Sequence, residues 1–283
     1  MPDHQAQWKR GWLAADRVFR EALKSIRELR ATPDARHANM TAKCVRVVDF
    51  ETTGLDPASS DVIEVGWCDV YEDCRIEGPY SLLVKTDRPI EIEARAAHHI
   101  GPEDLTKGVS GSLWKPYLCY NEPIAFIAHN SKFEASFWPE APAPWICTYK
   151  SAMRLFPEAP RFTNSVLRYY LDLGHDPVFN RALAMPPHRA GPDAYVTAHI
   201  FVRMYRLEGS LQRMFQWTAE PEMPPRIMFG MHFGKPWSEV PQDYLDWMLK
   251  GPFDSDKKWV AEMELNRRAE FLQQRYIPRA GAG

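Results

Sequence analysis

Asp49 and Glu51 stand two residues apart at the end of the apolar run Cys44-Val-Arg-Val-Val-Asp-Phe-Glu. On an extended strand such side chains point to the same face, so the pair would present two carboxylates together. Oxygen donors of this kind suit hard cations such as Mg²⁺ or Mn²⁺. By itself the pair is equally an acidic turn before Gly54. A second candidate is Glu134, in His129-Asn-Ser-Lys-Phe-Glu, where another apolar run enters a polar turn and a helix start. A carboxylate there also has an ordinary role, as a favourable charge near a helix N-terminus. The third is His188-Arg-Ala-Gly-Pro-Asp193, which joins an imidazole on a loop to a carboxylate in the first turn of a helix. Taken together, four carboxylates can hold two divalent ions, about 3.5–4 Å apart in known two-metal sites, serving both the attacking and the leaving oxygen of an in-line displacement. A histidine with an ordinary pKa near ~6.5 can take the proton of an attacking water at neutral pH.

These residues need elements to hold them. Cys44 to Phe50, Asp61 to Val70 and Tyr80 to Lys85 are β-rich runs separated by Gly, Pro, Asp and Ser clusters, and they predict adjacent strands. Pro123 to His129 supplies a fourth run, and helical spacing follows over Ser131–Phe137, Thr148–Leu155 and Thr163–Leu173. Pro192 suits a helix start, and that helix should run to about Leu207. Strands first and then alternating strand and helix imply an α/β layer fold. Ahead of it, Trp8, Trp12, Ala15, Phe19, Ala22, Ile26 and Leu29 form one face of a helix, with arginines and lysines mostly off that stripe, either solvated or touching phosphates. After Glu208 the composition turns rich in Pro, Met and aromatics, which marks a boundary. A charged helix from about Ser255 to Tyr276 closes the chain.

The 283 residues, 45% hydrophobic and 25% charged, suffice for one full core with smaller extensions. A net charge of −2 gives no global basic field, so nucleic acid would have to be gripped by a local patch or through bound cations. Five widely spaced cysteines form neither a zinc motif nor a disulfide framework, and no apolar run is long enough for a membrane span. Reduced thiols, no membrane partner and a cytoplasmic location are the expectation; the oligomeric state is not legible.

Asp49-x-Glu51-Thr-x-Gly, His129-Asn-x-x-Phe-Glu134 and His188-Arg-Ala-x-x-Asp193, in this order, resemble the three motifs of the DEDDh 3′→5′ exonucleases. Ala97-His-His-Ile-Gly-Pro-Glu-Asp-Leu and Cys147-Thr-Tyr-Lys-Ser-Ala also resemble segments of that family, and the likeness extends over about Val45 to Leu207. The resemblance implies a ribonuclease H-like α/β fold, a mixed central sheet flanked by helices. It divides the chain into an N-terminal helical extension (1–42), an exonuclease domain (43–210) and an exonuclease X-like C-terminal module with its helix (225–283). It implies two Mg²⁺ or Mn²⁺ ions on Asp49, Glu51, Glu134 and Asp193, and His188 as general base. The expected activity is hydrolysis of terminal phosphodiesters of single-stranded or 3′-ended DNA to nucleoside 5′-monophosphates. Trimming of RNA, or nucleic-acid binding with weak catalysis, are the alternatives. Substrate contacts are implied along Thr52, Thr53, Gly54 and Leu55, with backbone amides near the terminal sugar and Leu55 against a base. Others are implied around His129, Asn130 and Phe133, and Arg189 could meet a phosphate or be a surface arginine. His98, His99 and His129 have hydrogen-bonded structural roles as their plain alternative. The family usually has Asp where this chain has Glu134, a carboxylate one methylene longer.

The stretch Met228-Phe-Gly-Met-His-Phe-Gly-Lys-Pro-Trp, followed by Val240-Pro-Gln-Asp-Tyr-Leu-Asp-Trp, resembles a short module found after some exonuclease domains. It is either a clamp, with Lys235 and His232 near phosphate and Phe233 or Trp237 stacking on bases, or a packing unit whose aromatics are its core.

Overall fold

The computed structural model describes residues 43–276; the extension 1–42 and its amphipathic stripe lie outside them. The chain runs β1 (Cys44–Thr52), β2 (Val62–Tyr71), β3 (Ile76–Lys85), α1 (Ile92–His98), β4 (Val109–Ser110), α2 (Lys115–Cys119), β5 (Phe126–Ala128), α3 (Ser131–Phe137), β6 (Trp145–Cys147), α4 (Thr148–Leu155), α5 (Asn164–Tyr170), α6 (Ala190–Glu208), α7 (Leu211–Ala219), α8 (Gln242–Lys250) and α9 (Ser255–Tyr276). The strands form one mixed sheet in the order β4-β3-β2-β1-β5-β6. The meander β1-β2-β3 is antiparallel, and β5, β6 and β4 add in parallel.

β1 is nearly continuous in apolar residues because both of its faces are covered. Val45 and Val47 pack with Phe201, Ile200 and Met204 of α6, whereas Val48 and Phe50 pack with Phe126, Trp114 and Trp138 on the opposite face. Asp49 and Glu51 continue the Val45–Val47 face by the period-two rule, so β1 turns towards α6 with valines at one end and carboxylates at the other. α6 matches this polarity. Its C-terminal half meets the valines, and its first turn reaches the strand end that carries Asp49.

On the far face Arg46 faces Asp69 across the β1–β2 ladder. Its Nε and Nη2 donate to the Asp69 carboxylate at 2.7 Å each, and Nη1 donates to the carbonyls of Tyr117 and Leu118 at 2.8 Å. A charge that deep is tolerable only when it is paired and hydrogen-bonded this fully, and the pairing ties α2 to the sheet.

α7, beyond the boundary expected after Glu208, packs into the same core through Met214, and the Thr218 hydroxyl accepts the Cys147 amide at 2.8 Å. Ile227, Trp237, Val240, Leu245, Met248, Val260 and Ala261 form a separate apolar cluster that unites the following turn with α8 and α9. Arg268 of α9 donates to the carbonyls of Trp237, Ser238 and Val240, closing that unit. Among the described residues no helix is long and apolar enough to cross a membrane.

Candidate active site

Asp49, Glu51 and Asp193 each bring a carboxylate oxygen to within 4.8 Å of the other two. β1 supplies two of them from one face, and α6 supplies the third from its first turn. That approach depends on Gly66, which lies opposite Asp49 in the β1–β2 ladder. A Cβ at Gly66 would stand 2.0 Å from the carbonyl carbon of Ala190 and 2.3 Å from the nitrogen of Gly191, so the missing side chain is what admits the first turn of α6.

Glu134 enters from α3 and is buried, and among the described residues its Oε2 has no hydrogen-bond partner. Desolvation, with repulsion from Asp193, Glu51 and Glu134, holds the Asp49 carboxyl well above the usual range. Burial pushes Glu51 and Glu134 up to about 8, with Asp193 and Glu64 adding repulsion at the first and Glu51 at the second. Asp193 is raised by the same desolvation, against the pull of the His188 amide and ring. Buried carboxylates that crowd one another in this way, one with an orphaned oxygen, are satisfied by a cation, and an all-oxygen donor set fits Mg²⁺ or Mn²⁺.

His188 lies exposed on the loop before α6 with φ +58°, and its amide donates to Asp193 Oδ2 at 3.0 Å. Arg189 is half-buried and paired internally. Its Nε and Nη2 donate to the buried carboxylate of Glu64 at 2.9 and 2.7 Å, and Glu64 also accepts the Ala190 amide at 3.0 Å. Glu64 sits directly across from Glu51 in the ladder. Sequence reasoning passed over both Glu64 and Gly66. A charged residue and a glycine inside the otherwise apolar strand Val62-Ile-Glu-Val-Gly-Trp were the available signals, since a buried charge needs a partner and a strand glycine often marks a close backbone approach.

The Thr52–Leu55 loop is built from inside. The Thr52 hydroxyl donates to the Gly54 carbonyl at 2.6 Å, the Thr53 hydroxyl accepts the Asp61 amide, and the Thr53 carbonyl accepts the Glu91 amide. Below it His98 is buried; its Nδ1 accepts the Ile100 amide, which leaves Nε2–H to donate to the Thr52 carbonyl at 3.3 Å. Leu55 by contrast is 80% exposed. Asn130 is an exposed, left-handed residue ahead of α3, and Phe133 lies half-buried with its ring 5.0 Å from that of Phe137.

His129 takes the hydrogen-bonded structural role that was its plain alternative. Its Nε2 donates to the Phe162 carbonyl at 2.6 Å, and its Nδ1 lies 3.0 Å from the Thr148 hydroxyl, so both ring nitrogens are used internally. Desolvation holds the ring down at about 4, hence neutral. Of the two readings of the C-terminal aromatics, Trp237 takes the packing one: it is buried, with Nε1 donating to the Pro224 carbonyl at 2.7 Å. Lys235 and Phe233 are exposed, and the Arg161 guanidinium lies 5.2 Å from the centre of the Phe233 ring. His232 is half-buried against Tyr244.

The family model described as Exonuclease matches residues 47–201. Exodeoxyribonuclease 10 of Escherichia coli (strain K12) is 31% identical over 222 residues, which cover 72% of this chain and 90% of that protein. DNA polymerase III PolC-type of Thermotoga petrophila is 32% identical over 169 residues, 57% of this chain but 12% of the polymerase. Among solved structures, exonuclease X in complex with 5′ overhanging duplex DNA aligns with a TM-score of 0.50 at 29% identity, over 62% of this chain and 99% of that one.

Proposed function

Because the chain belongs to the exonuclease family of the DEDDh type, we propose that it shortens DNA from the 3′ end, releasing nucleoside 5′-monophosphates. The observation that carries this reading is the convergence of Asp49, Glu51 and Asp193; Glu134 lies outside that group but interacts electrostatically with Asp49 and Glu51 and has an orphaned oxygen. DNA is preferred because the relative matched over most of both chains is an exodeoxyribonuclease and the aligned structure holds a DNA duplex.

Asp49, Glu51, Glu134 and Asp193 would hold two Mg²⁺ or Mn²⁺ ions. Bound there, the ions would supply the positive charge that favours attack by water and stabilises the departing 3′-oxygen. His188, exposed on its loop, accepts the proton of the attacking water, and the departing oxygen takes one up from solvent. Leu55 offers an apolar surface to the terminal base, and the Thr53–Gly54 backbone lies along its sugar. Lys235 and Phe233, exposed on the C-terminal unit, are the residues of that unit that would meet phosphate and base of the strand.

The test uses 5′-labelled single-stranded DNA, duplex DNA and RNA with Mg²⁺ or Mn²⁺, against EDTA and Asp49→Ala controls. The expected result is a ladder shortening from the 3′ end of DNA, absent in both controls. Faster loss of RNA would move the substrate assignment to RNA, and no cleavage of any substrate would leave a nucleic-acid-binding role.

A further inference from the structure

One buried carboxylate at the site belongs to none of the motifs. Glu64 is 1% exposed and lies across the ladder from Glu51, yet it points at the start of α6. It makes three hydrogen bonds there, two from the Arg189 fork and one from the amide of Ala190, the first residue of the helix. Arg189 is the residue that precedes the helix, and it is extended, with φ −132° and ψ 132°. His188, one residue earlier, turns to φ +58°, and its own amide bonds Asp193. Glu64 therefore grips the segment between His188 and Asp193 from the strand that neighbours β1. Gly66, two residues along β2 on the same face, supplies the space into which that segment settles.

We infer that Glu64 is the positioning residue that holds the His188 loop and the Asp193 turn in register with Asp49 and Glu51, and that Arg189 is its internal counter-ion. The inference rests on the proposed nuclease reading for its kinetic consequence, but its geometric content is independent of it. A bidentate arginine–carboxylate pair fixes both distance and plane, which a single lysine contact would not do. Groups that orient metal-binding or catalytic side chains in this way cost about 10–100-fold in metal affinity or activity when removed.

The experiment compares wild type, Glu64→Gln, Arg189→Gln and Arg189→Lys in the full chain. Glu64→Gln keeps the volume and one acceptor for the Ala190 amide but loses the charged pair. The readouts are kcat and KM on a 3′-ended DNA, Mn²⁺ binding by calorimetry, and thermal unfolding. The expected result is kcat lowered about ten- to a hundredfold in Glu64→Gln and Arg189→Gln, with KM for DNA within about twofold and Mn²⁺ affinity weakened about tenfold. Arg189→Lys should fall between them and wild type, and the double Gln variant should be no worse than either single. Wild-type kcat and Mn²⁺ affinity in Glu64→Gln would overturn the inference. So would an Arg189→Gln variant with raised KM and intact kcat, which is the signature of a phosphate contact. A kcat loss that vanishes when the variants are assayed far below their melting temperatures would reduce Glu64 to a purely structural role and also overturn it. A wild-type protein that cleaves nothing would sink the nuclease reading, and the Mn²⁺ affinities of the same variants would still decide this one.

Discussion

Glu134 is where this chain departs from the family pattern, and its surroundings say what the longer side chain can do. It is buried at the start of α3, one oxygen lacks a partner, and its pKa is pushed up to about 8, first by desolvation and then by Glu51. An idle buried carboxyl would be expected to find a donor, so the orphaned oxygen supports the proposed role of Glu134 as a ligand over that of a helix-end charge. Glu134→Asp should therefore retain activity, and Glu134→Ala should lower kcat by about 10²-fold, the scale of losing one preorganised electrostatic contact. Equal turnover in wild type and the Ala variant, measured on the same DNA substrate, would remove Glu134 from the site. The grouping of Asp49, Glu51 and Asp193 was legible in the sequence, because two of them share one face at the end of an apolar strand and the third opens a proline-marked helix. Glu64 and Gly66 were not, because within β2 nothing in the residue order says which helix covers them. His129 entered the candidate set through the motif resemblance, and its ring takes the structural alternative, spent on Thr148 and Phe162.

At the scale of elements, the site is the meeting of the C-terminal part of β1 with the N-terminal turn of α6, and Gly66 sets how close they come. In Gly66→Ala the new methyl would collide with backbone atoms of Ala190 and Gly191, which have no flexible end to move aside. The first turn of α6 must retreat, so stability should drop by about 1–3 kcal/mol or more, as overpacking does. Because a retreat of about 1 Å is enough to cost about 10²-fold in rate, kcat should fall further than stability implies. Denaturant melts together with single-turnover rates would check this, and a stable variant with wild-type turnover would show that the approach is not required. The elements were legible where an apolar or periodic run stands between turn residues, as in β1, β2, β5, α3, α4 and α6. β4, β6 and α1 lack such a run and owe their identity to neighbours brought from elsewhere in the chain. α7 was hidden by the compositional change after Glu208, although Met214 completes the main core. The fate of Trp237 turned on tertiary packing as well, since an aromatic in a glycine-flanked turn reads the same whether it stacks outward or fills a core.

Across the whole molecule two sets of buried titratable groups act against each other as pH changes. His129 and His199 are held down at about 4 by desolvation, against an ordinary value of 6.5. Their native states bind fewer protons than the unfolded chain, so the stability they contribute is present above pH 6.5 and is lost as pH falls towards 4. Glu51 and Glu134 shift the other way, from 4.5 to about 8, so their contribution is present below pH 4.5 and is lost as pH rises through 8. Between 4.5 and 6.5 the two sets oppose, and above 6.5 the carboxylates act alone. In EDTA the melting temperature should therefore decline from pH 6.5 to 8. Divalent ions reverse the sign of the argument, because the ionised cluster that repels itself is the form that binds them. Saturating Mn²⁺ at about 100 times its dissociation constant should add about 2.7 kcal/mol, and more at pH 8 than at pH 6, where protons compete for the same oxygens. Melting curves from pH 5 to 9, with EDTA and with MnCl₂, read both effects in one series. A chelated protein that keeps its stability from pH 6.5 to 8 would show that the carboxylates do not repel one another as their burial requires. Mn²⁺ without effect at pH 8 would show that the cluster does not hold the ion.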